Sequence, residues 1–145
     1  MTLEEINEMW AIDAKINEVD LGNEALNIPK LHNKYYTLFV KEMLRVKKLK
    51  TELKELEMAK YSWYNGSMAV EDLKDRGWKP YGLSILRADL PRYIDSDKDV
   101  IALSLKIDYY SQIASYLEDI IKQINTRNFV IRSAIDWAKF QSGGM

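Results

Sequence analysis

A row of cationic side chains runs into a group of aromatic side chains in the first half of this 145-residue sequence. Between residues 41 and 60 there are seven Lys or Arg residues against four Glu residues, and Tyr61, Trp63 and Tyr64 follow directly. Cationic groups pair with phosphates, and flat aromatic rings stack on nucleobases of any kind. These residue types therefore fit sequence-independent binding of a single-stranded nucleic acid. An ordinary solvated helix with an apolar end would carry the same residues.

The candidate contacts to DNA are four lysines, one arginine and two tyrosines. They are Lys47, Lys50, Lys54, Lys60, Arg45, Tyr61 and Tyr64. Lys47, Lys50 and Lys54 follow one another at spacings of three and four, which places them on one face of a helix. Trp63 is a weaker candidate for stacking, since it also continues the apolar side of the same helix.

One long helix is predicted to carry this row. Pro29 suits a helix start, because the N–H that proline lacks has no partner there. Asn65-Gly66 is a typical helix stop. Apolar residues recur between these points at steps of three and four, which predicts a helix over about 30–62. A helix of roughly 30 residues is about 45 Å long at 1.5 Å per residue and would need an antiparallel partner helix or another subunit.

A second long helix is predicted over about 97–125, with Ser96 or Asp97 as its cap. Its apolar residues form an unbroken heptad seam with a second row beside it, so one face can pack within the subunit while the other needs a neighbour. Asn128 is expected to form a left-handed turn before a shorter helix at Phe129–Phe140. The residues expected to hold the core or the subunit interface are Ile107, Tyr110, Leu117, Ile121, Ile124, Phe129 and Ile131.

An all-α fold is therefore predicted, with two long helices and shorter N- and C-terminal helices in one domain over residues 1–145. We expect a short helix at Met68–Arg76 and a short strand or extended arm at Tyr81–Ala88. The expected parts of the domain are an N-terminal helical part, a connecting segment and a C-terminal helical part, at 1–66, 67–94 and 95–145.

The charge of the chain is small but unevenly distributed. The net charge is −1, which argues against a uniformly basic nucleic-acid binder. Residues 1–30 carry seven acids and two lysines, a net of −5, and the basic row follows them. This asymmetry indicates a directed binding face, or subunits that meet through opposite charges. No signal peptide or membrane span is recognisable, so a soluble intracellular protein is expected.

Catalytic chemistry has little support in the sequence. His32 is the only histidine and there is no cysteine, so a metal site of paired histidines, a thiol nucleophile and a Cys-bound metal are excluded, and we expect no Ser–His–Asp set around His32. No glycine-rich phosphate loop is present. We therefore expect a protein that is not an enzyme and that needs no cofactor or metal.

The C-terminal third carries a recognisable set of residues. They are Asp97-Lys98-Asp99-Val100, Tyr109-Tyr110, Ile124, Arg127, Phe129, Ile131, Arg132, Asp136 and Phe140. In their order and spacing they resemble the UvsY family of recombination mediators from T-even-like phages. The N-terminal half is similar more loosely, through Lys41-Glu42-Met43-Leu44-Arg45 and the Trp63-Tyr64-x-Gly66 ending. Residues 67–94 match the family poorly.

The resemblance implies a recombination mediator that acts in the cytoplasm of an infected bacterial host. Such a protein binds single-stranded DNA, helps displace the phage single-strand-binding protein and loads a RecA-like recombinase. Loading nucleates the presynaptic filament in homologous recombination and repair. The resemblance also implies a ring-like homo-oligomer, a hexamer or heptamer, whose assembly the C-terminal helices support.

The resemblance further implies a basic doublet just before the aromatic ending as part of the DNA contact. By position, the second member of the doublet falls on Lys60 and the first on Met58, which cannot contact a phosphate. Lys47, Lys50 and Lys54 on the preceding turns would have to take its place. From the residues alone a second reading stays open: a non-catalytic helical oligomeric adaptor that binds protein partners without nucleic acid, favoured by the near-zero net charge and the acidic N-terminus.

Overall fold

The structure, a computed structural model, describes residues 1–143 and is built from helices, with no strand in that part of the chain. The prediction of an all-α fold is confirmed. A single-turn 3-10 helix at Arg87–Asp89 accompanies six α-helices. In chain order these are α1 (Leu3–Asp13), α2 (Leu21–Leu26), α3 (Ile28–Tyr64), α4 (Val70–Arg76), α5 (Leu90–Asp95) and α6 (Lys98–Gln141).

α3 is the long helix that carries the basic row. It has 37 residues and is about 55 Å long at 1.5 Å per residue, a little longer than predicted. Pro29 occupies its second position, where a missing N–H is equally harmless. The helix ends as the sequence predicts, because Gly66 adopts a left-handed φ of 79° that a residue with a Cβ rarely adopts.

α6 begins at a charged cap. Asp97 Oδ1 accepts hydrogen bonds from the backbone N–H groups of Asp99 and Val100, at 2.9 and 3.2 Å. Of the two predicted caps, Asp97 is therefore the one whose side chain satisfies free N–H groups of the first turn.

The predicted break at Asn128 is wrong. α6 runs through it as a single helix of 44 residues, so there is no separate C-terminal helix at Phe129–Phe140. No residue other than glycine has a positive φ within residues 1–143, so Asn128 does not form a left-handed turn. Asparagine costs a helix only a few tenths of a kcal/mol, and tertiary contacts readily offset such a preference. The neighbouring Arg127 and Ile131, both at least 93% buried, make those contacts.

The chain forms two compact units, to which both long helices contribute. The terminal unit comprises Met1–Met43 and the chain from Ser111 onwards, and the middle unit comprises Leu44–Tyr110. The expected division into N-terminal, connecting and C-terminal parts at 1–66, 67–94 and 95–145 stays a prediction.

The terminal unit has an apolar core with a buried arginine at its edge. Its fully buried side chains are Ile6, Tyr35, Ile113, Leu117, Ile124 and Ile131. The Arg127 guanidinium donates to the carbonyls of Ala14 and Lys15, at 3.3 and 3.1 Å, and to Glu24 Oε2 at 3.0 Å. These bonds hold the segment after α1 against α6, and they explain why α6 continues past residue 125.

In the middle unit, α3 and α6 run antiparallel. Val46 and Leu49 of α3 pack against Ile107 of α6 in its core cluster. Further along α3, towards its C-terminal end, Lys60 contacts Asp97 and Asp99 at the start of α6. The predicted antiparallel partner of the long helix is therefore α6.

The segment between the long helices is largely irregular. The short helix predicted at Met68–Arg76 is present as α4, two residues shorter at its start. Tyr81–Ala88 forms no strand: residues 81–86 have no regular secondary structure, with a bend at Leu83, and residues 87–88 begin the 3-10 helix. Trp63 Nε1 donates to the Lys79 carbonyl at 2.6 Å, which ties this segment to the end of α3.

Candidate nucleic-acid interface

Lys47, Lys50 and Lys54 form an exposed row on α3, hereafter the lysine row. Their positions fall within about 60° of one another round the helix and extend over about 10 Å of its length. None of the three is in an ion pair with another side chain of residues 1–143. The row therefore presents three ammonium groups to solvent without any charge partner of its own.

The lysine row leads to an open cleft beside Tyr61. The cleft has a volume of about 400 Å³, and Lys54, Met58 and Tyr61 of α3 face Pro91 and Ile94 of α5 across it. Tyr61 is 37% exposed, so part of this residue is accessible to solvent. A flat ring between apolar walls is the kind of surface on which a nucleobase stacks, with the Lys54 ammonium close enough to meet the adjoining phosphate.

Two carboxylates, those of Glu57 and Asp95, also line this cleft. They repel phosphate from its interior, which favours an arrangement with the backbone on the lysine row and a base in the cleft. Carboxylate oxygens can also accept hydrogen bonds from the exocyclic amino groups of bases.

Lys60 lies in the interior, not on the binding face. It is 4% exposed, and its ammonium makes ion pairs with Asp97 Oδ2 at 3.1 Å and Asp99 Oδ2 at 2.9 Å. The same ammonium lies 4.1 Å from the ring centre of Trp78 and 4.7 Å from that of Trp63. A phosphate could reach Lys60 only by breaking these contacts, so we withdraw it from the candidate DNA contacts.

Tyr64 is also interior, and we withdraw it for the same reason. It is 8% exposed, and its hydroxyl donates to Asp97 Oδ2 at 2.6 Å. Burial, then the hydrogen bond to Asp97, raise the pKa of Tyr64 well above its usual range. Its ring belongs to an aromatic cluster in the middle unit, with neighbouring ring centres 4.8–5.9 Å apart. The cluster consists of Trp63, Tyr64, Trp78, Tyr81 and Tyr93.

Asp97 joins the aromatic cluster to the start of α6. Burial on its own would raise the pKa of Asp97, but hydrogen bonds from Tyr64, the Val100 N–H and Lys60 outweigh it and lower that pKa. The ionised carboxylate is thus the form that this site stabilises. Sequence spacing contained a signal for the interior positions, because Lys60 and Tyr64 follow Leu56 at steps of four along the apolar side of α3.

Arg45 is half-buried, with its guanidinium carbon 4.8 Å from the ring centre of Tyr110. This stacking fixes the side chain against α6, and at 100° per residue Arg45 lies about 140–180° round α3 from the three lysines, so it stays a secondary candidate apart from the lysine row.

The residues expected to hold the core or the subunit interface divide into two groups. Ile107, Leu117, Ile124 and Ile131 are at most 7% exposed in the single chain and pack inside it. Tyr110 and Ile121 are half-buried. Phe129, in contrast, is 73% exposed and belongs to the outer surface of α6.

Other apolar side chains exposed on α6 are not among the residues expected to hold the core or the subunit interface. In the middle unit they are Ile101, Leu105 and Tyr109, spaced by four and 43–63% exposed. In the terminal unit they are Val130, Trp137 and Phe140, and the rings of Trp137 and Phe140 stack with centres 5.6 Å apart. The spacing of four from Ile101 to Tyr109 was visible in the sequence, but the heptad seam beside it was the stronger pattern.

Neither a metal-binding group of side chains nor a membrane-spanning helix is found in the described part of the chain. The His32 ring stacks on Tyr36, with ring centres 5.5 Å apart. No group of three or more His, Cys, Asp or Glu residues in residues 1–143 is arranged to hold a metal ion. Within the same residues, no helix combines the length and the apolar character that crossing a membrane requires.

Comparison with known proteins relates both the sequence and the fold to one family. The family model described as "Recombination, repair and ssDNA binding protein UvsY" matches residues 9–144. No curated protein matches the chain in sequence.

Three of the similar solved structures are crystal structures of the bacteriophage T4 recombination mediator protein UvsY. Lattice type IV aligns with a TM-score of 0.84 at 20% identity, over 97% of this chain and 99% of that one. Lattice type II gives 0.79 at 18% identity, over 98% of each chain, and type I gives 0.77 at 17% identity, over 94% and 98%. At these identities the likeness concerns the fold.

Proposed function

Because this chain belongs to the UvsY family of recombination, repair and single-strand-DNA-binding proteins, we propose that it is a recombination mediator whose DNA contact is the lysine row and the Tyr61 cleft. In this role it binds single-stranded DNA, helps displace a phage single-strand-binding protein and loads a RecA-like recombinase. Loading nucleates the presynaptic filament, in the cytoplasm of the infected host. The protein itself performs no catalysis.

The observation that carries the proposal is the continuity of the lysine row with the Tyr61 cleft. Three unpaired ammonium groups approach a cleft that offers the Tyr61 ring and apolar walls. In the bound state, phosphates lie along Lys47, Lys50 and Lys54 while a base stacks on Tyr61. Stacking on an aromatic ring does not depend on which base is present, and a mediator that acts on any sequence needs a contact of this kind.

The site of one subunit is small, so assembly is part of the proposal. Three phosphate contacts and one stacked base give modest affinity. A ring of six or seven copies raises it through effective concentration, since a strand held at one site is already close to the next. The exposed apolar residues of α6 supply surface for such assembly, with Phe129, Trp137 and Phe140 at 59–73% exposure. Contiguous exposed apolar surface is typical of protein interfaces.

A salt titration of oligo-dT binding tests the proposal. The affinity is measured by fluorescence anisotropy over a range of NaCl concentrations, with an oligonucleotide short enough to occupy one subunit. Three phosphate contacts predict that log affinity falls with log salt at a slope of about −2, because each contact to a single strand contributes about 0.7. An affinity that does not change with salt would contradict phosphate contacts at the lysine row. Absence of oligo-dT binding at any salt concentration would favour the protein adaptor instead.

A further inference from the structure

A second groove in the middle unit lies between the end of α3 and α4. Its volume is about 770 Å³. Met58 and Met68 contribute to its apolar floor, and Met58 is 70% exposed. Unbranched, polarisable methionine side chains adapt their shape to different apolar partners. A groove of this size with such a floor can accommodate an aliphatic or aromatic side chain of a binding partner.

The rim of this methionine groove is acidic. Glu55 from α3 and Asp72 and Asp75 from α4 all line it. None of these three carboxylates has an ion-pair partner within residues 1–143. Arg76 also lines the groove, with its guanidinium carbon 5.2 Å from the ring centre of Trp78, and it keeps its positive charge there. The groove is therefore lined by three exposed negative charges and one positive charge, so its rim is acidic on balance.

We propose that the methionine groove docks a segment of a partner protein that carries Lys or Arg beside an aliphatic or aromatic side chain. The apolar side chain of the segment lies on Met58 and Met68, and its cationic group meets the carboxylates of the rim. Charge complementarity selects this occupant: the rim repels the phosphates of a nucleic acid and attracts a cationic peptide. This surface is distinct from the lysine row, which has the opposite charge.

Methionine methyl signals report on the two sites separately. Met58 lines both the methionine groove and the Tyr61 cleft, whereas Met68 lines the groove and not the cleft. The chain has six methionines, so labelling their methyl carbons with ¹³C gives a small set of NMR signals. A ligand in the groove shifts both Met58 and Met68, and a base in the cleft shifts Met58 alone.

The test titrates the labelled full-length protein with the acetylated peptide Gly-Ser-Lys-Leu-Lys-Trp-Gly-Ser. Two control peptides replace both lysines by glutamate, or Leu and Trp by alanine. We expect saturable shifts of Met58 and Met68 with the first peptide, no shift of Met9 or Met43, and no saturation with either control. Equal shifts with the glutamate peptide, or none at Met68 with the first peptide, would overturn the proposal.

A matched pair of variants tests the acidic rim. Asp72→Asn with Asp75→Asn is expected to weaken peptide binding about fivefold, as two partly solvated charge pairs would. Glu4→Gln with Glu8→Gln removes the same charge from the exposed face of α1 and is expected to leave peptide binding unchanged. An equal loss of peptide affinity in the two double variants would overturn the role of the rim carboxylates.

Two other occupants have their own signatures. A shift of Met68 caused by oligo-dT would assign the groove to nucleic acid, and a shift that depends on protein concentration without peptide would assign it to a second copy of the chain. Either result would overturn docking of a partner segment. Neither of these results depends on whether oligo-dT binds the lysine row. The proposal for the methionine groove and the proposal for the DNA contact can therefore fail independently.

Discussion

The Lys60 ammonium lies 3.1 Å from Asp97 Oδ2, and this buried ion pair joins the last turns of α3 to the cap of α6. Asp97 uses its other oxygen to accept the first N–H groups of α6, so one carboxylate serves both helices. The side chains of Lys60 and Asp97 are only 5% and 6% exposed. Lys60 therefore joins the two helices next to Tyr61, one residue along, and its ammonium is enclosed by the protein.

Replacing Lys60 by alanine is expected to lower the free energy of unfolding by about 3 kcal/mol. Removing one partner of a buried ion pair typically costs 3–5 kcal/mol, and the lower figure applies because the side chain of Asp99 is 59% exposed. Urea denaturation measures the change. Lys47→Ala on the exposed side of α3 is the control, with an expected change below about 0.5 kcal/mol. A Lys60→Ala protein as stable as the control would restore Lys60 as a candidate for phosphate.

Stability should fall in acid because of Asp97. The pKa of Asp97 is below its ordinary value of 3.8 in the folded protein, so folding favours the ionised carboxylate. The contribution of the Asp97 carboxylate to the free energy of unfolding is fully present above pH 3.8 and is lost as the pH falls through the lowered pKa of Asp97. The free energy of unfolding, followed in urea from neutral pH to about pH 3, should therefore decline most steeply below about pH 4.

Asp97→Asn isolates this contribution, since asparagine keeps a cap acceptor but has no charge. The variant should be less stable at neutral pH, by about 1.5 kcal/mol, the value of a hydrogen bond to a charged group. Its decline in acid should also be shallower than that of the unsubstituted protein. Parallel pH profiles for the two proteins would show that Asp97 does not carry the effect.

Tyr61→Ala is expected to weaken oligo-dT binding about tenfold at constant salt, because stacking on one aromatic side chain contributes about 1–3 kcal/mol per base. The slope of log affinity against log salt should stay the same, since no phosphate contact is removed. Tyr61→Phe keeps the ring and should bind as the unsubstituted protein does. A loss in Tyr61→Phe equal to that in Tyr61→Ala would point to the hydroxyl instead of the ring.

Two substitutions at Asn128 test the continuity of α6. In a continuous helix Asn128→Ala should raise the free energy of unfolding by about 0.5 kcal/mol, and Asn128→Gly should lower it by a similar amount. At a left-handed turn the order would reverse, because glycine adopts positive φ freely and alanine does not. Urea denaturation of the two variants distinguishes a continuous helix from a left-handed turn by the sign of the change in the free energy of unfolding.

Local periodicity was sufficient to predict α3 and the start of α6. The apolar steps of three and four from Leu31 to Leu56, with Gly66 as the stop, define α3 to within two residues at each end. Periodicity of this kind is a property of neighbouring residues, so it can be read without knowing any partner. The exposed lysine row followed from the same spacing.

Contacts between residues far apart in the chain could not be predicted in this way. Asn128 has a weak preference against helix, and the bonds of Arg127 to Glu24 and to the carbonyls after α1 outweigh it. The spacing of Lys60 from Leu56 indicates the apolar side of α3, yet the sequence does not show that Asp97 and two indole rings enclose it. In both cases the deciding partner lies on another element, and composition near the residue contains no trace of it.

The most direct test of the DNA contact compares two triple variants of α3 in oligo-dT binding at one low salt concentration. Lys47→Ala, Lys50→Ala and Lys54→Ala remove the lysine row. Lys30→Ala, Lys41→Ala and Lys48→Ala remove the same charge from exposed positions about 130° round the helix. We expect the first variant to lose about tenfold or more in affinity, and the second to stay within about twofold of the unsubstituted protein. Equal losses in the two variants, or none in the first, would contradict the assignment of the DNA contact to this face.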